Sequence, residues 1–314
     1  MLLNSRCRHT GQNTPGVRCR AAASTGRGRP LAGRALCVSI AFCRVCHHPV
    51  TARLRFTTIQ RSGRNMRKLL GLSLAVAAVV VFVGGASATH SWGNYHWART
   101  ANPFTLKLGT NLSGSWVATD GTPLYLKTTS DDWSSSTALN TTIVAGGTSA
   151  RRCRATAGRV EVCNLAYGNN GWLGIASIWA SGDHITQATV KLNDSYFNTT
   201  KYNTSAWRNL VMCQEVGHTF GLDHQDENFT NANLNTCMDY TNDPTSNQHP
   251  NTHDYDQLVS IYTHTDSSTT VAASTAFLPD AVPSFAQAHR VSESVYRTDY
   301  GDGRSLVTHV FWAP

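Results

Sequence analysis

The residues best placed to do chemistry lie in one run, QEVGHTFGLDH at positions 214 to 224. Gln214 and His218 are one helical turn apart, so in a helix their side chains project from one face. Glu215 sits about 100° round the helix from Gln214, on the rim of that face. Gly221 suits the left-handed end of such a helix, after which the chain turns and His224 can come back towards His218. Two histidines beside a carboxylate make a site where water held by a metal is polarised and deprotonated. The reaction implied is metal-assisted hydrolysis of a peptide bond, with Glu215 as the general base that passes a proton to the leaving amine. The expected ion is Zn2+, held by His218 and His224 with Gln214 as a third ligand. An amide oxygen is a weak ligand for zinc, which leaves three outcomes: Gln214 ligates, another group fills its place, or the centre is degenerate and the protein only binds. Among nearby groups, Cys213 points about 100° away on the helix, and Asp223 and Asp226 lie closer to His224 than to the vacant corner.

Downstream, TCMDY at 236 to 240 places Met238 and Tyr240 a short loop beyond the histidines. Together the two segments resemble the metzincin zinc metallopeptidases, and among them the matrixin-like enzymes. Their HExxHxxGxxH pattern is matched at Glu215, His218, Gly221 and His224 and departs at Gln214, where the first histidine is replaced. The resemblance implies an α+β catalytic domain: a twisted mixed β-sheet, an active-site helix, and a C-terminal helix after a Met-containing turn. It places Met238 under the metal and Tyr240 near it, and it implies a protein or peptide substrate. A secreted binding protein that keeps the scaffold without hydrolysis is the alternative.

Positioning those residues requires a scaffold. Alternating apolar and polar residues, with Val, Ile and Thr bounded by Gly, Asn or Asp, predict strands at 104–108, 142–145, 159–163, 173–179 and 184–192. From 206 to 220 the period becomes helical, with Met212, Val216 and Phe220 as an apolar stripe that can face the sheet. A second helix is expected over 252–263, where Tyr255, Leu258 and Tyr262 recur at three and four. Beyond 265 the composition turns to Ser, Thr, Ala and Pro, as in a linker. The last stretch reads as two strands around a Gly-Asp-Gly turn, able to dock on the main domain or to stand alone. The resemblance offers His184 as a second metal ligand of the kind matrixins carry near that strand, but no partner His or Asp set is evident in the sequence, and it is expected to be structural.

The chain carries 27 Lys and Arg against 19 Asp and Glu, but the excess is local. Residues 1–65 hold twelve Arg and no acid, and are expected to be a non-native extension in front of the true start at Met66. Met66-Arg67-Lys68, an apolar run to Val83 and a small-residue ending at Ala88 form a secretory signal peptide, 66–88. The run is too short to span a membrane comfortably. Without residues 1–88, thirteen basic residues face all nineteen acids, near −6, which removes the electrostatic case for nucleic acid. A secreted, extracellular monomer that does not bind a membrane once the signal is cleaved is expected, with a metallopeptidase domain at 89–265 and a linker and hairpin tail at 266–314. Five of nine Cys fall in the leader, leaving Cys153, Cys163, Cys213 and Cys237. An even number in an exported chain reads as two disulfides. Cys153–Cys163 would close a short hairpin and Cys213–Cys237 would tie the motif helix to the loop after it; two other connectivities are open.

Overall fold

The computed structural model describes residues 89–275 and 287–314. The extension expected at 1–65, the signal peptide expected at 66–88, and 276–286 of the linker lie outside them. The chain divides into units 1–79 and 80–314, and the first lies wholly outside the described residues.

The protein is α+β, with a mixed sheet of nine strands among the described residues. In chain order these are β1 (His96–Trp97), β2 (Phe104–Asn111), β3 (Leu139–Ala145), β4 (Val160–Leu165), β5 (Trp172–Ser181), β6 (His184–Asn193), β7 (His289–Arg290), β8 (Val295–Gly301) and β9 (Arg304–Trp312). They are ordered β3-β2-β4-β6-β5-β9-β8-β7, with β1 alongside β6. The pairs β2–β3, β2–β4, β4–β6 and β1–β6 are parallel; β5 runs antiparallel to both β6 and β9. The helices are α1 (Leu124–Trp133), α2 (Asp194–Phe197), α3 (Ser205–His218) and α4 (Thr252–Ile261). None among the described residues is long and apolar enough to cross a membrane.

Five strands and two helices lie where periodicity put them, and each runs close to the expected span. β2 alternates buried and exposed residues over Phe104–Lys107, as a half-covered strand must. β5 is buried from Trp172 to Ala180 because both of its faces are covered. Leu173 and Ile178 join the main core with α3, while Trp172, Ile175 and Trp179 join small clusters on the other face. The α3 helix starts where the Thr204 side chain accepts a hydrogen bond from the Trp207 amide. It ends at His218, two residues before the expected stop. Gly221 then takes a left-handed φ of +94°, and any Cβ there would lie 2.1 Å from the Tyr95 carbonyl oxygen, so the position demands glycine. An Asn251–Asp254 capping box opens α4.

Two features add to the sequence reading, and one expectation is corrected. The stripe of Met212, Val216 and Phe220 is buried, and so is everything else on α3 from Trp207 onward apart from Asn209. The helix touches β5, β6, β9, α1 and the turn at 244–246, so it is enclosed. Secondly, the stretch up to Ser136, in which helical and loop signals mix, contains α1; Trp133 holds it in place by donating to the Cys213 carbonyl at 3.1 Å. Thirdly, Cys153 and Cys163 are bonded as expected, but they close no hairpin: Cys153 lies in a turn at φ +43° ahead of β4. Cys213 and Cys237 form the second disulfide, with Cα atoms 5.9 Å apart.

The C-terminal hairpin docks on the main sheet. β8 and β9 flank the Asp302-Gly303 turn, and β9 pairs with β5 from Trp172↔Trp312 to Ser181↔Arg304. Val295, Val307 and Phe311 are part of the main core.

Candidate metal centre

His218 ends α3 and is fully buried. Its Nδ1 lies 2.9 Å from the Leu222 carbonyl oxygen, which can only accept, so Nδ1 carries the proton and Nε2 presents a lone pair. His224 is fixed the same way, with Nδ1 2.9 Å from Glu227 Oε1. The two Nε2 atoms face each other at 3.0 Å. Two lone pairs at that distance repel unless a cation lies between them. A zinc ion about 2.0 Å from each of two tetrahedral ligands sets those ligands about 3.3 Å apart, close to the observed spacing. Burial and the neighbouring imidazole hold His218 well below the usual histidine range, so its Nε2 is a bare acceptor facing His224.

Gln214 points its amide elsewhere. Its Nε2 donates to the Cys237 carbonyl at 2.7 Å, reinforcing the disulfide one residue before it, and its Oε1 has no hydrogen-bond partner. Glu215 is completely buried, and its carboxyl makes no side-chain hydrogen bond and faces the Ala176 amide of β5. Burial pushes its carboxyl well above the usual carboxylate range. β5 presses on it closely: a Cβ at Gly174 would fall 2.8 Å from Glu215 Oε1, so glycine makes room for the carboxylate.

The structure also brings in a residue that spacing within the motif does not reveal. His309 of β9 stacks on His218, ring centroids 3.8 Å apart and planes 4° from parallel, and lies 5.0 Å from the His224 ring. The ligand atoms of His218, His224 and His309 all fall within 4.8 Å of one another. His309 is fully buried, neither ring nitrogen is hydrogen-bonded, and burial holds it well below the usual histidine range. The donor set fits zinc, which favours neutral imidazole; for all three rings to converge, His309 must tilt out of the stack. A sequence signal existed: in VTHVFW the histidine shares a strand face with Val307 and Phe311, the face that enters the core.

Other segments hold these groups in place. Met238 is fully buried; its carbonyl accepts from the Gln225 amide at 2.6 Å, joining the loop after His224 to the turn at 236–240. The Tyr240 ring lies 4.3 Å from His224, and its hydroxyl donates to the Val310 carbonyl at 3.2 Å. The buried Asp254 of α4 accepts from His90 Nε2 at 3.0 Å, Gln225 Nε2 at 2.7 Å and the Thr236 hydroxyl. One carboxylate thus joins the N-terminal segment, the His224 loop and the Met238 turn. Trp92 packs edge-on against His309, ring centroids 4.0 Å apart. Ser294, in the tail, donates to Glu227 Oε1 at 2.6 Å and so acts on the partner of His224.

His224 is also one wall of a cavity of about 440 Å³, shared with Trp92, Asp223, Glu227, Val295 and Arg297. Comparison with models of known protein families finds no match to this chain, and comparison with curated proteins finds none.

Proposed function

We propose that the protein is a secreted zinc-dependent endopeptidase of metzincin-like kind, in which His309 from the C-terminal hairpin takes the ligand position that Gln214 leaves weak. What supports this most is the meeting of three buried imidazoles, two with their Nε2 atoms 3.0 Å apart, beside a buried carboxylate that no side chain pairs. Zinc bound there supplies a Lewis acid that polarises water and a carbonyl oxygen. Glu215 takes the proton of the attacking water, and its raised proton affinity suits it to hold that proton until the leaving amine accepts it. Tyr240 and Glu227 fix the His224 ring, and Met238 fixes the loop that carries it. The β5 edge beside the centre is occupied by β9, so a peptide approaches through the cavity at His224. The two disulfides accord with the oxidising compartment expected for an exported chain.

One observation favours a zinc-holding binding protein without hydrolysis: Glu215, His218 and the tail's own His309 are fully buried. Glu215→Gln separates the two functions. For a peptidase, the variant keeps its zinc and cleaves an unfolded protein at least about 100-fold more slowly. Cleavage that survives either this substitution or a chelator overturns the proposal, and a wild-type protein that holds zinc but cleaves nothing establishes the binding protein.

A further inference from the structure

We infer that the cavity beside His224 is a specificity subsite for a lysine or arginine side chain of the substrate peptide, with Asp223 reading its charge, a role that rests on the peptidase reading of the neighbouring centre. The cavity holds about 440 Å³, within the roughly 300–1,000 Å³ of pockets that bind small ligands. Its inner walls are apolar. Trp92, Val295 and Val307 belong to the main core, and Val291 stands at the rim, 58% exposed. Such walls fit the aliphatic stem of a long side chain, which can be buried while its charged head stays on a polar group. Trp92 comes from the N-terminal segment and the three valines from the C-terminal hairpin or the chain leading into it, so the subsite exists only once the hairpin is seated.

The charges around the cavity leave one acid unanswered. Asp223 Oδ1 accepts from the His224 amide at 2.9 Å and lies 3.5 Å from His309 Nε2, which orients the carboxylate; no lysine or arginine among the described residues pairs with it. Glu227 is already engaged, its Oε1 lying 2.9 Å from His224 Nδ1 and 2.6 Å from the Ser294 hydroxyl. The one guanidinium on the wall, Arg297, is matched by Asp299, which accepts from Nε at 3.0 Å and Nη2 at 2.7 Å. The lining therefore keeps a surplus of negative charge next to the centre. Trp92 and Tyr95 share the wall with ring centroids 6.1 Å apart, and aromatic rings attract a cation set over their faces. An apolar side chain in this space would cover Asp223 without a partner, at the cost of desolvating a charge, whereas a basic one offsets that cost. Because Asp223 stands one residue before His224, the side chain bound there belongs to a residue close to the bond held at the metal.

The test has two arms. In the first, the zinc-loaded protein digests a mixture of denatured proteins and the cuts are mapped by mass spectrometry. We expect Lys or Arg enriched at least about 10-fold at one fixed position beside the cut, the scale on which a single subsite contact discriminates. The enrichment should vanish in Asp223→Asn, which keeps the acceptor for the His224 amide, with zinc content measured alongside. The second arm needs no hydrolysis: Glu215→Gln is titrated with an end-blocked alanine hexapeptide carrying one arginine, and with the same peptide carrying citrulline, which has the same length without the charge. The arginine peptide should bind at least about 10-fold more tightly. Cleavage without Lys or Arg enrichment, or with an apolar residue at that position, overturns the subsite and leaves the peptidase standing. Enrichment that survives in a zinc-loaded Asp223→Asn overturns the role of Asp223. A wild-type protein that cleaves nothing removes the peptidase reading, and the second arm then decides alone: preference for arginine supports the cavity as a site for basic peptides, and equal binding overturns it.

Discussion

The two histidine clusters are built from the same residue type to different ends. At the end of α3 the carboxylate is buried without a side-chain partner, the imidazoles are sealed, and one ring arrives from a distant strand, β9. Around Asp266 one carboxylate oxygen is held by Arg99 and the other faces His184 and His96, and two of the rings remain partly open to solvent. A carboxylate engaged by a guanidinium and by imidazoles ties its neighbours together. One buried without a side-chain partner has a raised proton affinity, which suits the proton transfer proposed for it.

The largest effect should come from the histidine that the hairpin supplies. His309→Ala is expected to weaken zinc at the α3 centre by more than the roughly 10–100-fold that loss of an outer-shell partner costs, while leaving the contacts around Asp266 unchanged. Adding Gln214→His to that variant should restore most of the affinity, since 214 and 218 lie on one helical face; zinc titration of both variants decides it, and no rescue means that His309 holds the hairpin and not the metal. Next in size is a pH effect in the metal-free protein. His218 and His309 are depressed below their usual value of 6.5 by burial, so below that pH the unfolded chain binds protons that the folded chain refuses. Stability is therefore full above pH 6.5 and falls as the pH drops below it, by roughly a kcal/mol per pH unit for each ring. Denaturant titrations of the chelated protein from pH 8 to pH 5 measure this, and a flat profile would mean that the rings are not buried neutral. The smallest effect belongs to Ser294→Ala, which frees Glu227 on one side and should reduce zinc affinity about 10-fold at the α3 centre, read by zinc titration.

Much of the scaffold was legible in the sequence because local pattern sets local structure. Alternation found β2 to β6 and the hairpin, and the 3.6 period found α3 and α4. The α1 helix was only half legible, because its stretch mixes helical and loop signals and a single tryptophan, Trp133, anchors it across to α3; β1 was missed because two residues carry no period. Within the centre, Glu215, His218 and His224 could be read because one helix turn and one glycine stop fix their spacing. His309 could not, because strand pairing with β5 places it and no motif spacing records that register. His184 was expected to lack partners for the same reason: His96 and Asp266 reach it through β1 pairing and the chain beyond α4, both distant in sequence.

The seating of β9 on β5 also has a consequence in time. A nascent chain that has emerged through residue 265 already holds the motif helix, both of the motif histidines, Glu215 and every cysteine of the two disulfides, yet lacks the strand that covers the open side of β5. The α3 cluster is thus finished last, by residues synthesised after all the others that build it. Until they arrive, the polypeptide carries Glu215 without the third imidazole of the cluster.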